Sequence, residues 1–254
     1  MNPKCVIVPD VHGRGFWRTA ISLCPTDTPI VFLGDYLDPY GFEGITPYEA
    51  VEVFKEVIAF RKANPNVVLL LGNHDCTYFI GKSICECRCN YEQYDEIRKL
   101  FKDNAELFGI VHPFSVGKKK FILSHAGIQP KWLEDYGYTV DDIEKFNGYI
   151  KGFDEESERF KGALSAVSYY RGGIGYSASP IWADIREYGL KMNDLSAFDF
   201  YQIVGHTYIE KPVVVGKITC IDVQRVFCIG DNGKLYDYET EKEIKNDGRT
   251  NNGN

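Results

Sequence analysis

The chain has 254 residues, 44% of them hydrophobic and 26% charged, with a formal net charge of −7. That apolar share can bury one substantial core, which argues against disorder and for a single domain over residues 1–241. The acidic balance, with a pI near 5.3, argues against a nucleic-acid backbone as resting partner, because such binders present a net basic face.

In chain order, Met1 to Pro9 holds only a short apolar run, so no secretory leader is expected. No stretch is apolar enough over enough residues to predict a membrane span, and the eight cysteines read as reduced thiols of a cytoplasmic protein. Cys5 to Val8 is the first of five short runs rich in Val, Ile and Leu, followed by Ile30 to Leu33, Val67 to Leu71, Phe121 to Leu123 and Ile203 to Val204. Bounded by Gly, Pro, Asn or Asp, they predict buried strands. Between the second and third, Thr46 as N-cap, Pro47 at the first position and Glu49 closing a capping box predict a helix. Its apolar face is Val51, Phe54, Val57 and Ile58.

Cys76 to Tyr94 fits no core pattern. Its Cys85, Cys87 and Cys89, with Cys76 nearby, invite a zinc reading, but without Cys-x-x-Cys pairs they read as free thiols in an irregular lid. Gly117-Lys118, Gly216-Lys217 and Asp231-Asn232-Gly233 predict turns between antiparallel strands. Pro130 to Phe200 is rich in Tyr, Phe and Gly and is expected to form a lid-like insert of helices and loops. Residues 242–254 read as a flexible polar tail. The class expected is α/β (α+β), two mixed β-sheets in a sandwich with helices outside.

Each apolar run is followed at once by residues able to bind metal: Asp10 and His12, Asp35 and Asp38, Asn73 to Asp75, His125, and His206. Loops at the carboxyl ends of parallel strands share one edge, so these groups should converge. Alone, each could be a helix cap, a turn residue or a hydrogen-bonded core histidine. Together, their oxygen and imidazole donors without thiolates suit two divalent cations, manganese first and iron or zinc as alternatives. Such a pair can clamp a phosphoryl group and activate a water. His112, the one histidine outside these loops, reads as structural.

The segments Asp10-Val-His12-Gly, Gly-Asp35-Tyr-Leu-Asp38, Gly-Asn73-His74-Asp75, His125-Ala-Gly and Gly-His206 resemble the calcineurin-like metallophosphoesterase superfamily, in particular its phosphoprotein phosphatase branch. The resemblance implies a four-layer sandwich in which Asp10 and His12 bind one metal, Asp35 bridges, and Asn73, His125 and His206 bind the second. It also implies that His74, oriented by Asp38, is the general acid rather than a ligand. Tyr208, where many members carry another histidine, and the stretch Ser-Pro-Ile-Trp182-Ala-Asp184 favour that branch. The family's phosphate-gripping Arg after Asp38 is replaced by Pro39, which leaves Arg171 and Arg14 as candidates for the phosphate.

The expected function is hydrolysis of phosphate monoesters, with a phosphoprotein or small phosphate ester as partner and a serine/threonine protein phosphatase as the leading form. A dinucleoside polyphosphate or nucleotide hydrolase is the enzymatic alternative, and a catalytically silent protein-binding scaffold is the alternative of another class.

Overall fold

The computed structural model describes residues 2–22, 24–82 and 87–245. Among them run eleven strands: β1 (Pro3–Val8), β2 (Ile30–Phe32), β3 (Val67–Leu70), β4 (Phe108–Gly109), β5 (Val111–Val116), β6 (Lys119–Ser124), β7 (Phe200–Val204), β8 (Val213–Val215), β9 (Ile218–Cys220), β10 (Phe227–Gly230) and β11 (Leu235–Asp237). The helices are α1 (Trp17–Ser22), α2 (Pro47–Ala63), α3 (Asn73–Phe79), α4 (Tyr94–Asp103), α5 (Pro130–Asp135), α6 (Phe146–Tyr149) and α7 (Glu155–Ala163), with short 3₁₀ turns between.

One sheet has the order β11-β10-β1-β2-β3-β4 and the other β5-β6-β7-β9-β8. In the first, β1 to β4 pair in parallel and β10 and β11 add antiparallel edges; in the second, β6, β7 and β9 are parallel between antiparallel β5 and β8. Both sheets are therefore mixed, as the sequence led us to expect. The three anticipated turns join β5 to β6, β8 to β9 and β10 to β11, with Gly117, Gly216 and Gly233 all at positive φ. Six of the eleven strands lie outside the five apolar runs. β4 holds only two residues and β5 alternates exposed with partly buried positions, whereas β8 (Val-Val-Val) and β10 (Phe-Cys-Ile-Gly) do carry short apolar runs that the five-run pattern did not include.

Side-chain alternation separates two apolar layers. Cys5, Ile7, Val31 and Leu33 of the first sheet meet Phe121, Leu123 and Ile203 of the second in the layer between the sheets. On the outer face of the first sheet, Val6, Val8, Phe32 and Leu69 pack with Val51, Phe54, Val57 and Ile58 of α2. This helix starts as foreseen, with Thr46 as N-cap and a capping box closed by Glu49. Fully buried Trp132, Phe146 and Phe160, carried by α5, α6 and α7, form an aromatic cluster in the helical layer. Most of residues 130–164 thus belongs to the helical packing, and the later part, Tyr169 to Asp184, reaches the strand-end loops. No helix among the described residues is long and apolar enough to cross a membrane.

Candidate active site

Five strand ends converge on one buried spot. β1 leads into Asp10 and His12, β2 into Asp35 and Asp38, β3 into Asn73 and His74, β6 into His125 and β7 into His206; all eight are buried. The backbone bends sharply to bring them in. Six non-glycine residues take a positive φ among the described residues, and four of them are His12 (44°), Asp35 (51°), Asp38 (58°) and His206 (65°). Left-handed backbone is costly for a side-chain-bearing residue, and it persists where surrounding contacts impose it. Two glycines permit the close approach: a Cβ on Gly72 would stand 2.1 Å from Asp35 Oδ1, and one on Gly205 would stand 2.2 Å from Asp10 Oδ1.

Backbone carbonyls orient the rings. His12 Nδ1 donates to the Leu37 carbonyl (2.6 Å) and His125 Nδ1 to that of Leu33 (3.0 Å), so both Nε2 atoms turn a lone pair inward. His125 Nε2 then faces Asn73 Oδ1 at 3.1 Å and Asp35 Oδ2 at 3.5 Å, three acceptors with no proton to share. His206 Nδ1 lies 3.1 Å from His125 Nε2, and its Nε2 is buried with no hydrogen-bond partner among the described residues. His12 Nε2 stands 3.6 Å from Asp35 Oδ2. Buried acceptors crowded together in this way are costly unless a cation lies among them.

The groups Asp10, His12, Asp35 and Asp35, His125, His206 each bring their ligand atoms within 4.8 Å of one another, and Asp35 belongs to both. The electrostatics suit the same occupant. Burial, with nearby Asp35 adding to it, pushes the Asp10 carboxyl up to about 8. Burial pushes His12 down to about 3 and lowers His125 and His206 as well, so these imidazoles stay neutral with lone pairs to offer. Neutral nitrogens with crowded carboxylates form a donor set that fits divalent cations.

His74 has the opposite character. Its Nδ1 donates to Asp38 Oδ2 and to the Arg88 carbonyl, each at 3.0 Å, which fixes the ring through that nitrogen. Burial disfavours its charged form, yet Asp35, the hydrogen bond to Asp38 and the Cys87 thiol outweigh that and hold the imidazolium well above the usual histidine range. Asp38 is held in turn by the Tyr78 hydroxyl (2.7 Å) and the Asn90 N–H (3.0 Å).

The two arginines stand on different sides. Arg14 gives Nε and Nη2 to Glu43 (2.8–3.1 Å) and Nη1 to the Asp10 carbonyl (3.3 Å). Arg171 gives Nε to Asp184 and Nη2 to the His206 carbonyl, both at 3.0 Å, while its Nη1 has no hydrogen-bond partner among the described residues. Trp182 packs edge-on against His206, with ring centroids 5.9 Å apart. Beside them an open cavity of about 360 Å³ is lined by Arg171, Arg186, Thr207 and Tyr208.

Several residues of the site carried no assigned role in the sequence. Asp75 is fully buried and accepts from the N–H groups of Asp35 (2.6 Å), Gly72 (2.9 Å) and Tyr36 (3.1 Å), which clamps the second and third strand-end loops together. Its place beside Asn73 and His74 was the available signal. Asp222 is a buried carboxyl that burial and then Asp10 push well up. Arg88 and Tyr40 also border the site, and nothing in their spacing marks them. Of the cysteine cluster, Cys85 lies outside the described residues. Cys87 Sγ stands 3.0 Å from Thr77 Oγ1, and no cysteine among the described residues joins a candidate metal group. His112 sits away from the site in β5, near Phe114.

The family model of calcineurin-like phosphoesterases matches residues 3–210. A cold-active protein-tyrosine phosphatase of a psychrophilic Shewanella has a similar structure, with a TM-score of 0.61 at 16% identity over 96% of this chain and 81% of that one. A protein serine/threonine phosphatase of Saccharomyces cerevisiae gives a TM-score of 0.51 at 15% identity, over 90% and 73% of the respective chains. At such identities the likeness lies in the fold.

Proposed function

The chain belongs to the calcineurin-like phosphoesterase family, and from that premise we propose that it is a dinuclear metal-dependent phosphatase acting on phosphate monoesters. The observation that carries this reading is the pair of ligand groups joined at Asp35. Asp10 and His12 would hold one cation, Asn73, His125 and His206 the other, with Asp35 between them. When bound, the cations supply Lewis acidity that neutralises phosphate charge and lowers the pKa of water.

The chain's own groups do the rest. Arg171 Nη1 can donate to a phosphate oxygen, since a guanidinium fork matches that geometry. We assign Arg14 a supporting part: its charge lies under Asp10, and its donors would reach the phosphate only by leaving Glu43. His74, held as imidazolium with its Nδ1 hydrogen-bonded, presents Nε2 to protonate the departing oxygen, and Asp38 fixes the ring for that transfer. A phosphorylated protein or small phosphate ester is the substrate, manganese is the first metal to try, and the cytoplasm is the location we propose.

The test is hydrolysis of p-nitrophenyl phosphate with added manganese, with a chelator, and against the bis-nitrophenyl diester. Manganese-stimulated cleavage of the monoester in clear excess over the diester supports the proposal. No hydrolysis of either ester with any divalent cation would sink it.

A further inference from the structure

A proton donor marks where the leaving group lies, so the surface next to His74 selects the alcohol that departs. That surface is aromatic. The Tyr40 ring packs edge-on against His12, with centroids 5.1 Å apart, and the His12 ring is itself 5.2 Å from that of His74. Tyr40 stacks on Phe42 at 5.7 Å with only 28° between the planes, and the Arg88 guanidinium lies 4.6 Å from the Tyr40 centroid. Phe42 is 86% exposed and Tyr40 38%, so the pair opens to solvent.

Anchors on both sides hold this wall in place. Arg88 donates to the Pro39 carbonyl (2.7 Å), while its own carbonyl accepts from His74. Glu43, at the end of the turn that carries Phe42, forms a nearly buried fork with Arg14. Two exposed rings fixed beside a buried polar centre, with a guanidinium over one of them, have no packing role that would account for their exposure.

We propose that Tyr40, Phe42 and Arg88 form a subsite for an aromatic leaving group, so that the favoured substrates are aryl phosphate monoesters, phosphotyrosine being the form carried by proteins. The inference rests on the assignment of His74 as proton donor. Rings stack well on an aromatic face, and a guanidinium adds cation–π attraction. The packing of Tyr40 on the His12 ring, which itself packs on His74, favours an aryl group joined directly to the ester oxygen over a nucleobase, which a ribose would hold farther off.

Calorimetric titration of the manganese-loaded protein with benzylphosphonate and with cyclohexylmethylphosphonate separates aromaticity from size. Neither is hydrolysed, so leaving-group reactivity does not enter. The wild type should bind the benzyl compound about tenfold more tightly, in line with measured stacking on aromatic side chains. That ratio should drop to about threefold in Phe42→Ala or Arg88→Gln and close to unity in Tyr40→Leu. Phe42 lies outside the core, so its removal leaves folding intact. Equal affinities in the wild type, or a ratio that survives Tyr40→Leu together with Phe42→Ala, overturns the subsite. Tighter binding of adenosine 5′-monophosphate with the same dependence on Tyr40 also overturns it, in favour of a nucleoside. Failure of the phosphatase reading would look different: no cation-dependent hydrolysis of phenyl or alkyl phosphates at all.

Discussion

On the His206 side of the centre, Arg171 and Arg186 converge on the buried carboxylate of Asp184, with Nε contacts of 3.0 and 2.7 Å. On the His74 side, Asp38 is tied to Tyr78 and Asn90, and the outer surface is the Tyr40–Phe42 stack. The first flank sets two guanidiniums on one carboxylate and opens into a cavity lined by Arg171, Arg186, Thr207 and Tyr208 together with Ile185, Ile209 and Val213. The second hides its charge behind hydrogen bonds and shows rings to solvent. The difference points to a division of labour, in which one side grips the phosphate and the other receives and protonates what leaves.

The largest effect should come from Asp35→Asn, which removes the carboxylate common to both candidate metal groups. Since even partners outside the ligand set cost 10–100-fold, turnover should fall by about 1000-fold or more and bound metal should drop, as read by kinetics and elemental analysis. His74→Asn should lower turnover by about 100-fold with metal content unchanged, and undiminished cleavage of an alkyl phosphate would remove His74 from its role. Arg171→Ala should cost about 30-fold in kcat/KM, against about threefold for Arg186→Ala, because a charge-assisted bond to the phosphate is lost only in the first. Equal losses would erase the distinction between these arginines.

Asp75→Ala tests scaffold rather than chemistry. It strands three buried N–H groups and should lower stability by about 3 kcal/mol, seen as a fall in Tm of about 6–12 °C. The smallest expected effect concerns pH in the metal-free protein. Between pH 6.5 and 8 the unfolded Asp10 is ionised while the folded one, shifted to about 8, still holds its proton. Folded protein therefore binds more protons, and stability declines as pH rises through that window. Below 6.5 His12, shifted to about 3, acts in the opposite sense, because the unfolded imidazole is the one that takes up the proton. Adding manganese should reverse the decline above 6.5, which thermal melts at stepped pH would detect.

The strand-end placement of Asp10, His12, Asp35, Asn73, His125 and His206 was legible because each follows an apolar run that can only be a buried strand. The α2 cap was legible for a similar local reason, as Thr46, Pro47 and Glu49 sit within four residues. Arg88 and Tyr40 were not, since 48 positions separate them and only the packed loops bring guanidinium and ring together. Glu43 was equally silent: its partner Arg14 lies 29 residues away, and a single glutamate in a loop carries no pattern. Local chemistry is written in short motifs, whereas contacts between irregular segments depend on how whole layers dock.

Asp10 and His206 are 196 positions apart yet meet at 2.9 Å, and the donor atoms they neighbour come from both sheets. A cation seated there would rivet the two halves of the sandwich across their shared edge. Its capture would have to wait until the chain had closed a loop of 196 positions, which would make loading a late step of assembly. By the same linkage, any parting of the sheets would loosen such a cation, so that metal retention would serve as a built-in gauge of whether the molecule is whole.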